Sequence, residues 1–243
     1  MQCGVSNGGM VLTLPVGDVL FATPRSRIVR LDLQQRSFSY RAGQAAMLGM
    51  HGNGLRKPYS IASAPEEASE KGRLEFLVHV DAEGSAGPHL PTLDRHTLVD
   101  VEGPGGSFLF PERPAERRFL LIAGGTGIAP LRAMLWHALL TGLQGQFGVV
   151  YTARAPEEFA YVGELAALAA EGRIDLRQTV TRPGAPTWGG RLGRIDADYL
   201  APMIERSATL CFVCGPSTLV QEIPAVLEQL GVTPDQIRLE QWA

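Results

Sequence analysis

Phe119-Leu-Leu-Ile-Ala-Gly-Gly-Thr-Gly-Ile-Ala-Pro130 is the stretch on which the reading of this chain turns. Phe119–Ala123 is an apolar run of strand length, and a helical pattern follows from about Ala129 to Leu140. Between them, Gly125, Thr126 and Gly127 make the turn. Glycines there permit a tight bend and a close approach of backbone to a diphosphate. The helix N-terminus beyond offers free N–H groups and the positive end of its dipole. Pro130 suits a first helical turn and stands where G-x-G-x-x-G has its third glycine. Alone, such a turn also serves plain packing; its strand–turn–helix setting points to phosphate.

Downstream the alternation continues. Phe147–Thr152, Ile174–Val180, Leu210–Val213 and Ile237–Trp242 read as strands. Glu157–Ala170, Asp196–Glu205 and Thr218–Leu230 read as helices, the second more weakly. Five strands alternating with helices predict a doubly wound parallel five-stranded sheet with right-handed crossovers. In the order 3-2-1-4-5, ligand binds between the first and fourth strands, beyond their C-terminal ends. The first ends in the glycine turn and the fourth in Cys214-Gly215-Pro216, so both motifs face one crevice.

Upstream the period changes. Short runs punctuated by Gly, Pro, Asp and Ser recur at Val19–Thr23, Arg27–Leu33, Ala45–Met50, Pro58–Ala62, Leu74–Val80, Thr97–Val101 and Ser107–Phe110. Strands without intervening helices argue for an antiparallel barrel or sandwich. The polar stretch Pro111–Arg118, with two prolines, reads as a linker, dividing the chain into residues 1–113 and 114–243.

Composition bounds the rest. The chain has 243 residues, 45% hydrophobic and 19% charged, enough for two cores. No apolar run approaches the ~20 residues of a membrane span, and the N-terminus shows no signal-peptide pattern. Net charge is −3, but residues 1–60 carry seven Arg/Lys against two Asp/Glu. That segment can meet phosphates or an acidic protein; an acidic chain without a dense basic stripe does not suit nucleic acid. Cys3, Cys211 and Cys214 cannot build a disulfide framework, a Cys₄ zinc site or a Cys₄ iron–sulfur cluster, and the five histidines lack ligand spacing. No metal site is expected, and the setting reads as reducing and cytoplasmic. Cys211-Phe-Val-Cys214 is not a redox pair: three residues of strand span ~10 Å, and an odd separation turns the thiols to opposite faces.

Lys57-Pro-Tyr-Ser60, Gly103-Pro-Gly-Gly-Ser-Phe108, Gly124-Gly-Thr-Gly-Ile-Ala-Pro130, Cys214-Gly-Pro216 and Glu240-Gln-Trp242 occur in one order. In that order the chain, from about Val16 to its end, resembles the ferredoxin–NADP reductase superfamily. The resemblance implies a six-stranded antiparallel β-barrel that binds FAD, followed by an NAD(P)-binding α/β domain. It implies that Tyr59 packs on the isoalloxazine, that Ser60 bonds near its N5, and that Lys57, beside Pro58, replaces the arginine that meets a flavin phosphate. Gly84–Leu90, with Ser85 and Gly87, resembles the second diphosphate loop, which favours FAD over FMN. His79 would lie beside the flavin, Trp242 would cover its face, and Cys214 and Glu240 would stand at the nicotinamide with Ser60. For the nucleotide, Thr152 and Arg154 suit a 2′-phosphate and hence NADPH rather than NADH, with Arg182 and Arg191 as lesser candidates. Glu157 and Glu158 read as the acidic first turn of a helix. The implied activity passes hydride from NAD(P)H to FAD and then electrons to a separate carrier, such as ferredoxin or another small redox protein docking transiently. A subunit of a larger complex and a diaphorase acting on quinones or free flavins are the alternatives.

Overall fold

The computed structural model describes residues 11–182, 188–206 and 208–242; Cys3 lies outside them. The first half holds six strands: β1 (Val11–Thr23), β2 (Ser26–Asp32), β3 (Ala45–Met50), β4 (Lys57–Ser60), β5 (Arg73–His79) and β6 (Leu98–Gly105). They are antiparallel in the order β4-β3-β6-β1-β2-β5. A bridge between Ile61 and Phe76 joins the two edges and closes the barrel. Closure removes the exposed edges that an open sheet would leave. Alternation sends Leu14, Val16, Val29, Leu31, Leu74, Phe76, Val99 and Val101 into its core.

Three details differ from the sequence reading; the first is that β1 begins at Val11, eight residues before the expected Val19. A helix, α1 (Pro65–Lys71), lies between β4 and β5. Pro65 presets its first turn, Glu67 turns back to accept the Ala64 N–H at 3.0 Å, and Gly72 at φ 63° ends it. Ser107–Phe110 is not a strand. Phe108 and Phe110 leave the barrel and join Phe212, Phe119 and Phe147 in a run of ring contacts that binds the two halves.

The second half contains β7 (Arg118–Gly124), α2 (Ile128–Leu140), β8 (Gln146–Ala153), α3 (Val162–Ala170), β9 (Asp175–Val180), β10 (Arg191–Leu192), α4 (Ala197–Leu200), β11 (Thr209–Gly215), α5 (Ser217–Gln229) and β12 (Ile237–Gln241). The sheet is parallel, ordered β10-β9-β8-β7-β11-β12. The five expected strands stand in the expected order, and the two-residue β10 extends the edge. Glu157 and Glu158 do not open α3. They sit in a separate 3-10 turn, Pro156–Glu158, and α3 starts after Tyr161, whose φ is 57°. Cys211 and Cys214 are free and buried in the cores on opposite sides of the sheet.

Candidate active site

Strand order reverses between β7 and β11, and there the two glycine motifs meet. A Cβ on Gly127 would lie 2.2 Å from the Cys214 carbonyl oxygen, and one on Gly215 would lie 3.1 Å from the Gly124 backbone. These glycines let the two strand ends touch. Gly125 differs: nothing lies near its Cβ position, and its φ of 54° is the left-handed turn that glycine adopts cheaply. A cleft of about 670 Å³ opens above them. The sheet side supplies Gly124, Gly125, Thr126, Thr152, Arg154, Gly215, Pro216 and Trp242; the barrel side supplies Thr23, Arg25, Leu77 and His79. Gly127 and Pro130, expected at the nucleotide, are instead buried beneath the turn and do not line the cleft.

Tyr151, fully buried under the cleft, braces it. Its hydroxyl donates to the Gly125 carbonyl at 2.9 Å and accepts the Ala160 N–H at 3.2 Å. One side chain thus ties the glycine turn to the loop after β8. Thr152 Oγ1 is buried without a partner, and Arg154 is exposed. Arg191, a lesser candidate, is turned away: it bonds Asp196 and lies over the Tyr199 ring. Arg182 is exposed and does not line the cleft. Sequence reading passed over Arg25, which donates to Glu158 at 2.7 Å across the two halves, and Arg194, which lines the cleft and pairs with Glu222.

At the seam between β4 and β12, three side chains converge on Glu240 Oε2. The Trp242 indole N–H donates at 3.1 Å, the Ser60 hydroxyl at 3.4 Å and the Cys214 thiol at 3.9 Å. Register explains this: Cys214 and Glu240 are partners across β11 and β12, and the Trp242 N–H bonds the Gly215 carbonyl. Burial pushes the Glu240 carboxyl up to about 7 against the pull of these hydrogen bonds. Burial, then the neighbouring Glu240 carboxylate, pushes the Cys214 thiol well above its usual range. The thiol is therefore a neutral donor, not a nucleophile.

On the other side of β4, Tyr59 is half-buried against the barrel core, and burial pushes its hydroxyl up to about 12. Its hydroxyl lies 2.7 Å from Nε2 of the buried His89, a residue given no role from sequence. Lys57 and Pro58 are exposed. The loop at 84–90 forms turns without a helix. Gly87, at φ 105°, donates its N–H to Ser85 Oγ, and the Ser85 N–H donates to Asp81. The Ser85 hydroxyl keeps its own hydrogen for a ligand. His79 ends β5, where burial and then the Arg25 and Arg154 cations lower its pKa.

In the basic opening segment, Arg25, Arg30, Arg41 and Arg56 pair with carboxylates. Arg27, Arg36 and Lys57 have no ion-pair partner among the described residues. No group of His, Cys, Asp and Glu among those residues could hold a metal, and none of their helices is long and apolar enough to cross a membrane.

Comparison with known proteins agrees with this architecture. The oxidoreductase FAD-binding domain family matches residues 22–110, and the oxidoreductase NAD-binding domain family matches residues 121–224. Ferredoxin–NADP reductase B of Sorangium cellulosum is 31% identical over 218 residues, covering 85% of this chain and 87% of that protein. This chain belongs to the ferredoxin–NADP reductase superfamily. It is an NAD(P)H-dependent flavin oxidoreductase with an FAD-binding and an NAD-binding domain. Among solved structures, the Amycolatopsis cytochrome P450 reductase superposes with a TM-score of 0.80 at 25% identity, over 96% of this chain and 69% of that one. A ferredoxin–NADP⁺ reductase from Neisseria gonorrhoeae, with FAD and NADP bound, shares the fold with a TM-score of 0.76 at 21% identity, over 95% and 98% of the chains.

Proposed function

We propose that this reductase takes hydride from NADPH and passes single electrons to a separate small redox protein of the ferredoxin kind. The observation that carries the reading is the convergence of Ser60, Cys214 and Trp242 on Glu240, with Trp242 also lining the nucleotide cleft. The residues fit both groups: unpaired Lys57 stands two residues from Tyr59, and the buried Thr152 hydroxyl is unmatched beside the cleft. FAD held by these barrel residues would supply the conversion of a hydride into single electrons.

The chain's own residues do the rest. Lys57 meets a flavin phosphate as a point charge, since it lacks arginine's fork, and the Ser85 hydroxyl meets the diphosphate. Gly125 and Thr126 hold the nucleotide diphosphate, and Gly215 and Pro216 form the opposite wall. Thr152 and Arg154 take the 2′-phosphate. Trp242 covers the flavin until nicotinamide displaces it. Ser60 and the Cys214 thiol donate hydrogen bonds to Oε2 that orient Glu240, which holds or releases a proton at its other oxygen, Oε1, near neutral pH. His79 closes the barrel wall. The division at residues 113 and 114 assigns these tasks to two domains.

The acceptor accounts for the exposed Arg36 and for Phe21, 69% exposed, whose ring lies 4.9 Å from the guanidinium carbon of the half-buried Arg27. A small acidic carrier meeting them would dock transiently. Only three cysteines are present, so this chain cannot ligate a Cys₄ cluster, and the electrons leave it. Free Cys211 and Cys214 suit a reducing, cytoplasmic setting.

Anaerobic titration of the purified protein tests the reading. NADPH should bleach the visible flavin bands, and Arg154→Ala should lower kcat/KM for NADPH about tenfold while sparing NADH, as for the loss of one charged contact. The cofactor assignment fails if NADH reduces the protein with equal or better kcat/KM. The acceptor assignment fails if quinones or free flavins are reduced faster than a ferredoxin.

A further inference from the structure

His89 is among the most buried polar residues, at 1% exposure, yet its polar atoms are sparsely used. Nε2 meets the Tyr59 hydroxyl at 2.7 Å, and the two rings lie nearly parallel at 22° with centroids 5.7 Å apart. Nδ1 is buried and has no hydrogen-bond partner. The imidazole thus makes one hydrogen bond, and it goes to Tyr59. A histidine there for packing alone would be better replaced by an apolar ring, since an unpaired buried nitrogen costs stability.

The backbone beneath it is well anchored. The His89 carbonyl accepts the Met50 N–H at 2.7 Å, the Leu90 N–H bonds the Gly87 carbonyl at 3.0 Å, and Asn53 Nδ2 donates to the Pro88 carbonyl at 2.9 Å. The imidazole is therefore fixed to the barrel, whereas Tyr59 is only half-buried on the four-residue strand β4. Burial and then the Lys57 cation disfavour a charged imidazole.

We propose that His89 is a positioning residue that fixes the Tyr59 ring as the platform for the flavin. This rests on the proposed flavin chemistry and on the packing of Tyr59 against the isoalloxazine that the family resemblance implies. A phenol free to rotate about χ1 and χ2 loses freedom when it stacks; a ring already held does not. The imidazole does this ordering before the cofactor arrives.

Tyr59→Phe and His89→Phe each delete the hydrogen bond and keep an aromatic ring. Each should weaken FAD binding about tenfold, or ~1.4 kcal/mol, the worth of one hydrogen bond. Each should also raise the fluorescence of bound FAD, which a stacked phenol quenches. The double variant should be no worse than either single one, because both remove the same bond. His89→Phe should melt at or above the temperature of the parent apoprotein, an outcome that a purely structural histidine would not give. His89→Gln, which keeps a hydrogen-bonding end, should recover part of the affinity; it stands in if His89→Phe does not fold. The proposal is overturned if the single variants keep parental FAD affinity and fluorescence, or if their effects add. Tyr59→Ala separates the two levels. If it too changes neither readout, Tyr59 is not the platform and the underlying reading falls. If it changes both while the hydroxyl-only variants change neither, only the role of His89 falls.

Discussion

Two seams join the barrel to the nucleotide sheet, and they treat buried carboxylates in opposite ways. At the first, Arg132 of α2 is 5% exposed and grips Glu164 through two bonds of 2.8 and 2.7 Å. It also grips Glu67 of α1 at 2.9 and 3.2 Å and the Ala62 carbonyl at 2.8 Å. At the second, Glu240 has three hydrogen-bond donors and no cation among the described residues. Burial pushes both carboxyls up. At Glu67 the Arg132 guanidinium outweighs burial and holds the pKa below its usual range, while Glu240 rises to about 7. A carboxylate facing a guanidinium is a fixed charge that holds two domains together. One facing only neutral donors is an acid that can exchange its proton near neutrality. The first seam sets the geometry that the second needs, since hydride transfer demands close and aligned reactants.

The comparison can be broken at several points. The largest effect should come from Arg132→Ala, which leaves Glu164 without its cation and Glu67 with Lys71 alone. It should destabilise the protein by about 3–5 kcal/mol, measured by denaturant unfolding; a loss under ~1 kcal/mol would show that water screens this seam. Glu240→Gln should lower kcat about 100-fold, the scale of a lost proton-transfer group, with stability intact. A parental kcat would remove Glu240 from the chemistry.

Stability against pH should separate the seams by sign. The Glu240 pKa is raised in the folded state, so its contribution weakens as pH rises from about 4.5 to about 7. Partial exposure limits this to about 2 kcal/mol, and Glu240→Gln should abolish it. The Glu67 pKa is depressed, so its contribution is present above its unfolded value and lost as pH falls through the folded one. Melting temperatures followed from about pH 2 to 8 in both backgrounds check the two slopes, that of Glu67 below its ordinary carboxylate range and that of Glu240 above it. The smallest effect should be Tyr151→Phe, which frees the glycine turn. It should raise KM for NADPH about five- to tenfold, the worth of one hydrogen bond, and leave FAD content unchanged; an equal loss of FAD would make Tyr151 a general core residue.

Much of the architecture was visible in the chain, because period and punctuation are local signals. β3 has the predicted bounds, and β7 and α2 lie within two residues of theirs. The α1 helix escaped because a seven-residue helix barely completes two turns; its signal was Pro65 followed by Glu67. Ser107–Phe110 misled because its alternating phenylalanines look like a strand, although they fill the space between domains. In the site, Ser60, Cys214, Glu240 and Trp242 were readable from motifs. Arg25, Tyr151, His89 and Arg132 belong to no motif, and their meaning lies in partners far along the chain. Arg25 meets Glu158 across 133 positions, and Arg132 meets Glu67 across 65.

Residue order was enough for the succession of barrel and sheet, the strand order and the nucleotide crevice. These follow from the alternation of side chains and from the handedness of crossovers. The protonation of Glu240, the separation of Gly127 from the cleft, the hold of His89 on Tyr59 and the clasp at Arg132 came from the packed molecule. Each depends on burial and on distances of about 3 Å between groups remote in sequence, and electrostatic energies change steeply with both.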